Sequence, residues 1–145
     1  MRAPIMSGFT LIESLLVVAL FGVVAVFMFP LTLSFYNVQI LSEIEIGVQT
    51  ALQNAQVNAV TQKNDSAHGV KMLSDSYVLF QGDSYLTRNT LLDTPILYPS
   101  TLEYTGVDEI VFEQYTGKPS ATGTLSFEYA HESKIVTVYD SGFIR

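Results

Sequence analysis

Apolar residues are arranged along this chain in three ways, and each predicts a different element. From Phe9 to Tyr36 they run almost without interruption, with Glu13 as the only charged side chain. Ser14 to Tyr36 alone is 23 residues without a charge. As a helix rising about 1.5 Å per residue it spans roughly 34 Å, enough to cross a bilayer core of about 30 Å. A buried core helix would keep a polar face, and this segment has none. A cleaved secretory signal would be shorter and end at small residues, whereas this run continues into the bulky "FMFPLTLSFYN". The residues favour a membrane-spanning helix.

After Tyr36 the apolar positions thin out to one helical face. Val38, Leu41, Ile44, Val48, Leu52, Ala55 and Ala59 recur at steps of three and four, opposite Gln39, Glu43, Gln49, Gln53, Asn54, Gln56 and Asn58. Gly47 costs about 1 kcal/mol relative to Ala, too little to end a helix against this pattern. Lys63 and Asn64 suit its C-terminus. One helix from Phe9 to Gln62 is predicted, apolar all round in its first half and amphipathic in its second.

From Gly69 the period changes to two. "GVKML" and "SYVLFQG" flank Ser74-Asp75, which reads as a tight hairpin. "TLEYT", "EIVFEQYTG", "GTLSFEYA" and "KIVTVYDSGFIR" follow, separated by the turn signals "TGVD", "TGKPSATG" and "HES", with "DSG" inside the last run. Leu125, Phe127 and Tyr129 alternate with Thr124, Ser126 and Glu128, the pattern of a half-buried antiparallel strand. Ser84 to Ser100, with Pro95 and Pro99, shows no period and predicts a long surface connection. The expected fold class is α+β: a transmembrane first half-helix (9–36), then a globular domain (37–145) in which the amphipathic half (37–62) packs on one antiparallel sheet (69–145).

Charge sets the orientation. Arg2 precedes the apolar run, and the first charges after it are Glu43 and Glu45. The positive side stays in the cytoplasm, so a single pass puts 37–145 outside the inner membrane, in the periplasm or its equivalent. That part carries six basic residues against thirteen acidic ones, with no basic run, which argues against nucleic acid as a partner. There is no Cys, so disulfides, thiolate chemistry and Cys-based zinc sites are excluded. Within the apolar run, Pro30 withholds a hydrogen bond from the carbonyl of Val26 and bends or breaks the helix locally. Gly22 permits close approach of another helix but belongs to no GxxxG pair.

Nothing in the chain points to an enzyme or to a cofactor. His68 and His131 lie at a helix–strand junction and in a strand turn, and neither has the company a metal site needs. Asp108, Glu109 and Glu113 read as a solvated strand end, with a calcium site as the minor alternative; the spacing does not fit an EF-hand loop. Asp140 suits the turn before Gly142. Tyr77, Phe80 and Tyr85 are core candidates more than a surface patch.

The opening stretch is the most distinctive. A short leader with Arg2 is followed by Gly8, Phe9, Thr10, Leu11, Ile12 and Glu13, then by the apolar helix. This resembles the N-terminal signal of type IV pilins and type II secretion pseudopilins. The resemblance extends to Pro30 and to the plan of a long helix on a small antiparallel sheet domain. It implies that a membrane-embedded prepilin peptidase cuts between Gly8 and Phe9, that the leader 1–8 stays inside, and that the new Phe9 amine is methylated. It also implies that Glu13 pairs with the Phe9 amine of a neighbouring subunit during assembly on an inner-membrane platform. The order of elements further on, with "HGVKMLSDSYVLFQGDSY" and a closing "KIVTVYDSGFIR", is similar to the H-type (GspH/FimT-like) minor pseudopilins, although Thr137 stands where an aliphatic is usual. The expected function is a filament subunit supporting protein secretion. A minor pilin for adhesion or DNA uptake is the alternative within the family, and a non-assembling, membrane-anchored periplasmic binding domain the alternative outside it.

Overall fold

The structure is a computed structural model that describes residues 9–145, with the side chains of all but residues 29–34. The chain divides into two compact units, Met1–Tyr36 and Asn37–Arg145.

In the first unit the backbone is the opening part of helix α1 (Leu11–Val60). An 18-residue window, Leu11–Met28, has a mean hydropathy of 2.6, and none of it is buried within the chain. It is long and apolar enough to span a membrane.

In the second unit the remainder of α1 packs on two antiparallel sheets. β1 (His68–Met72), β2 (Ser76–Gln81), β3 (Thr94–Leu97) and β5 (Glu109–Phe112) form one sheet in the order β3-β2-β1-β5. β4 (Glu103–Gly106), β6 (Gly123–Tyr129) and β7 (Glu132–Val138) form the other in the order β4-β6-β7. The protein is therefore α+β, but the single sheet expected from sequence is two. The chain changes sheet three times, after β3, after β4 and after β5, and the crossing from β4 to β5 leaves from Gly106. Gly106 makes the crossing possible: its φ is +121°, and a Cβ there would lie 1.9 Å from the Thr124 carbonyl oxygen.

The amphipathic stripe is buried as the spacing predicts. Leu41, Ile44, Val48, Leu52, Ala55 and Ala59 face Val70, Met72, Ile110 and Phe112 of one sheet and Leu125, Phe127, Val136 and Val138 of the other, in one core. Val38 is the exception, at 40% exposure. Gly47 has a packing reason, since a Cβ there would lie 2.6 Å from the Tyr77 hydroxyl. The helix ends at Val60 because Gln62 turns left-handed (φ 56°) and a 3-10 turn, Lys63–Asp65, follows.

The hairpin at Ser74-Asp75 forms as expected, with Met72 opposite Tyr77 and the Leu73 N–H donating to the Ser76 carbonyl at 2.8 Å. The Ser84–Ser100 segment departs from expectation. It contains a 3-10 turn, Thr90–Leu92, and the edge strand β3, in which Pro95 sits opposite Val78. Proline is tolerated there because an edge strand has one side with no partner to receive its missing N–H. The segment also covers the outer face of the first sheet. Tyr85 meets Phe80 edge-on at 5.5 Å, within a second small core of Ala67, Val78, Phe80 and Val111. Arg88 anchors it, stacking over Tyr85 at 3.5 Å and donating through Nε to both carboxylate oxygens of Asp93.

Candidate functional site

The residues singled out at the N-terminus begin with Gly8, which lies outside the described residues along with the rest of the leader. Phe9 is 79% exposed and precedes the helix. Thr10 immediately precedes α1 and carries the hydrogen bonds that start it. Its carbonyl accepts from the Ser14 N–H at 3.2 Å, and its Oγ1 accepts from the Glu13 N–H at 3.4 Å. The Ser14 hydroxyl donates to the same carbonyl at 3.3 Å. Thr10 is thus the N-cap and Glu13 the third residue of the helix, the spacing of a capping box. A carboxylate in the first turn also faces the positive end of the helix dipole. This local role for Glu13, and Thr10 itself, went unread in the sequence, although "TLIE" is the S/T-x-x-E pattern.

Around Glu13 the exposed surface is apolar except for Thr10 and Ser14. Phe9, Leu11, Ile12 and Leu16 are all exposed, and no ion pair reaches the Glu13 carboxylate among the described residues. Gly22 and Pro30 both lie within α1. A Cβ on Gly22 would meet nothing within 4 Å, so no neighbour among the described residues uses the space it leaves.

The polar candidates of the globular unit are tied up in its own structure. Lys71 donates to Asp108 at 2.7 Å and stands 3.6 Å from Glu109, whose other oxygen accepts from the Tyr85 N–H at 2.9 Å. The hydrogen bond from Lys71 holds the Asp108 carboxyl below its ordinary value, and Asp108 in turn raises Lys71. Glu113 turns to the Thr116 hydroxyl instead, so the three acids do not converge. Among the described residues no group of three or more His, Asp or Glu is placed to hold a metal ion.

His68 is not a loop residue. It opens β1, is 5% exposed, and donates from Nε2 to the Lys63 carbonyl at 3.0 Å, which ties the start of the 3-10 turn to the sheet. A cavity of about 110 Å³ beside it is lined by Asn58, Lys63, Asn64 and Gln81. His131 occupies the two-residue β6–β7 turn with Ala130, both at positive φ (73° and 51°). Tyr77 faces the main core, whereas Phe80 and Tyr85 face the second one. Burial raises the Tyr98 hydroxyl to about 12, with Tyr104 and Asp75 adding to it, and this hydroxyl donates to the Leu73 carbonyl.

Gln56 holds two loops to the helix. Its Nε2 donates to the carbonyls of Gly117 (3.1 Å) and Gly142 (3.0 Å). Both glycines have positive φ, and a Cβ on Gly142 would lie 2.3 Å from that nitrogen. Asp140, in the same turn, stands 3.6 Å from Lys118.

No family model, characterised protein or solved structure matches this chain. Among the described residues the longest apolar stretch left unburied is Leu11–Met28, and its first turn carries the Glu13 carboxylate.

Proposed function

We propose that this protein is a membrane-anchored filament subunit of the type IV pilin and pseudopilin kind. The observation that carries the reading is a single carboxylate, Glu13, in the first turn of an exposed apolar helix, just after the Gly8-Phe9 junction. Cleavage at that junction frees an α-amine on Phe9. With a reference pKa of about 7.7–8.0 it is mostly cationic at neutral pH. Among packed apolar helices a lone carboxylate is strongly disfavoured, and the amine of a neighbouring copy offsets that cost. A wrong axial register leaves the charge unpaired, so the pair selects one spacing between subunits.

The finer assignment is an H-type minor subunit of a secretion pseudopilus. It is supported by the Gly-Val strand β1, the Tyr-x-Leu-Phe strand β2 and the closing "KIVTVYDSGFIR", in the order that the resemblance implies. Prepilin peptidase, other pilin-like subunits and an inner-membrane platform are the partners of such a protein. The domain following the apolar helix lies on the outer side of the inner membrane. Co-expression with a prepilin peptidase tests the reading: intact-mass spectrometry is expected to show loss of residues 1–8 and a methyl group on Phe9. An uncleaved chain refutes it.

A further inference from the structure

We propose that the open edge of β7 receives an extended segment of a partner protein, one that carries an apolar residue and, two positions further on, a lysine or arginine. A sheet edge presents unpaired N–H and C=O groups, and folded proteins shield such edges with proline, with short strands or with covering loops. Three of the four edges among the described residues are shielded. β3 contains Pro95, and β4 has four residues. β5 is covered by residues 118–120, through the Phe112–Pro119 bridge and the Ser120 N–H, which donates to the Val111 carbonyl at 2.7 Å. β7 has seven residues, no proline and an unbroken register with β6.

The chain itself occupies one end of that edge. Thr137 and Arg145 exchange two backbone hydrogen bonds, at 2.7 and 3.0 Å, and Ile144, buried in the main core, bridges Val138. Thr137 therefore points its N–H and C=O away from β6. Backbone groups alternate along a strand, so Ser133 and Ile135 point theirs the same way, and among the described residues nothing pairs with them. A segment running antiparallel to β7, as residues 143–145 do, pairs with Ile135 first and with Ser133 two residues later. Ile135 is 55% exposed on the outer face of the sheet, which fits an apolar residue opposite it.

Charge sets the second requirement. Glu103, Glu128 and Ser133 lie in one row across β4, β6 and β7. Two carboxylates directly opposite on neighbouring strands repel, and among the described residues neither has a cation. Lys134, the basic residue of β7, is turned to Glu45 at 3.1 Å. A groove of about 170 Å³ beside the two carboxylates is lined also by Thr101 and His131. The next place in the row belongs to the added strand. Strands are spaced about 4.8 Å apart, so a residue there stands about 10 Å from Glu128, across the small Ser133. A long basic side chain and the glutamate reaching toward it close that distance. The chain's own Phe143-Ile144-Arg145 shows the same order on the occupied end, an apolar ring against Tyr139 and then Arg145 opposite Thr137.

The full chain in nanodiscs of zwitterionic phosphatidylcholine is titrated with a fluorescein-labelled pentapeptide, and the anisotropy is read. The peptide has threonine at its first, third and fifth places, isoleucine at the second and arginine at the fourth. Saturable binding is expected. N-methylation of the isoleucine, whose N–H faces β7, is expected to weaken it about tenfold, the scale of a lost hydrogen bond with an added clash. N-methylation of the central threonine, whose N–H faces away, is expected to leave the affinity unchanged. Glutamate in place of the arginine is expected to weaken binding about tenfold, because it adds a third like charge to the row. The double variant Glu103→Gln, Glu128→Gln is expected to weaken the arginine peptide about fivefold, the scale of partly exposed ion pairs, and to erase the preference over glutamate. The peptide arms leave the protein untouched, so no folding defect enters them. Equal effects of the two N-methyl groups overturn the strand pairing and with it the proposal. Equal binding of the arginine and glutamate peptides to the unsubstituted chain overturns it, as does the absence of saturable binding below about 1 mM, the weak end of the affinity scale.

Discussion

Two stretches of α1 differ in apolar content and are opposite in burial. Leu11–Met28 keeps no continuous polar face, and none of it is buried within the chain. The stripe from Leu41 to Ala59 is apolar on one side only and is almost completely covered by two sheets. Periodicity separates them: a helix that finds its partner in its own chain keeps a polar face for water, whereas one with no polar face is long and apolar enough here to span a membrane. The glycines and carboxylates of the two regions differ in the same way. Gly22 has open space about it while Gly69 lies under an aromatic ring, and among the described residues no cation pairs with Glu13 while Asp108 is held by Lys71.

Substituting one valine in each stretch gives the largest contrast. Val48 is 0% exposed and Val18 70%. Val48→Asp buries an unpaired charge and is expected to cost more than about 4 kcal/mol, abolishing the near-UV circular dichroism of the tyrosines in detergent-solubilised protein. Val18→Asp is expected to leave that signal and its melting temperature unchanged while reducing retention in membranes. Equal effects from the two would erase the distinction.

The glycines come next. A Cβ on Gly69 would lie 2.7 Å from Phe80 Cζ and 2.8 Å from the Ile110 carbonyl oxygen, while one on Gly22 would touch nothing. Gly69→Val is expected to cost about 3 kcal/mol in denaturant unfolding of the globular unit, as overpacking of a well-filled site does. Gly22→Val is expected to cost it nothing. A smaller contrast lies within the amphipathic half itself. Gln56→Ala removes both loop hydrogen bonds and is expected to cost about 1–2 kcal/mol. Gln53→Ala, on the exposed side, is expected to fall within about 0.5 kcal/mol of the unsubstituted protein.

The helical stripe, the Ser74-Asp75 hairpin and the inward set Leu125 and Phe127 were legible because each follows from local period and turn chemistry. The partition into two sheets was not. Alternation tells which side chains of "TLEYT" and "EIVFEQYTG" share a face, but nothing local says that the first joins β6 and the second β1. That choice is made at Gly106 by a backbone conformation with contacts far along the chain. β3 was hidden by Pro95, which lowers any strand signal and which only an edge position excuses. Gln56 looked like one more polar residue on a solvent face, because its two acceptors are carbonyls 61 and 86 residues away. At the N-terminus "TLIE" has the S/T-x-x-E spacing of a capping box, so the Thr10 cap follows from local chemistry alone.

The two carboxylates offer the finest comparison. Asp108 is held below its ordinary range by the hydrogen bond from Lys71. A group with a lowered folded-state value contributes stability above its unfolded value of about 3.9, and that contribution is lost as pH falls through the lower folded value. Lys71, raised by Asp108, has the opposite sign: its contribution is complete at neutral pH and is lost only in strong alkali. The Asp108 side chain is 63% exposed, so solvent screening keeps the effect small, at most about 1 kcal/mol. Urea unfolding of Asp108→Asn against the unsubstituted protein is therefore expected to show a steady deficit from about pH 5 to neutral. The deficit should close toward pH 2, where the native carboxyl also becomes neutral, and should shrink in high salt. Glu13→Gln is expected to give no deficit in the globular unit at any pH, because no bond in the described chain depends on its charge. A pH-dependent loss there would mean that Glu13 has a partner inside its own domain, and the contrast between the paired and the waiting carboxylate would disappear.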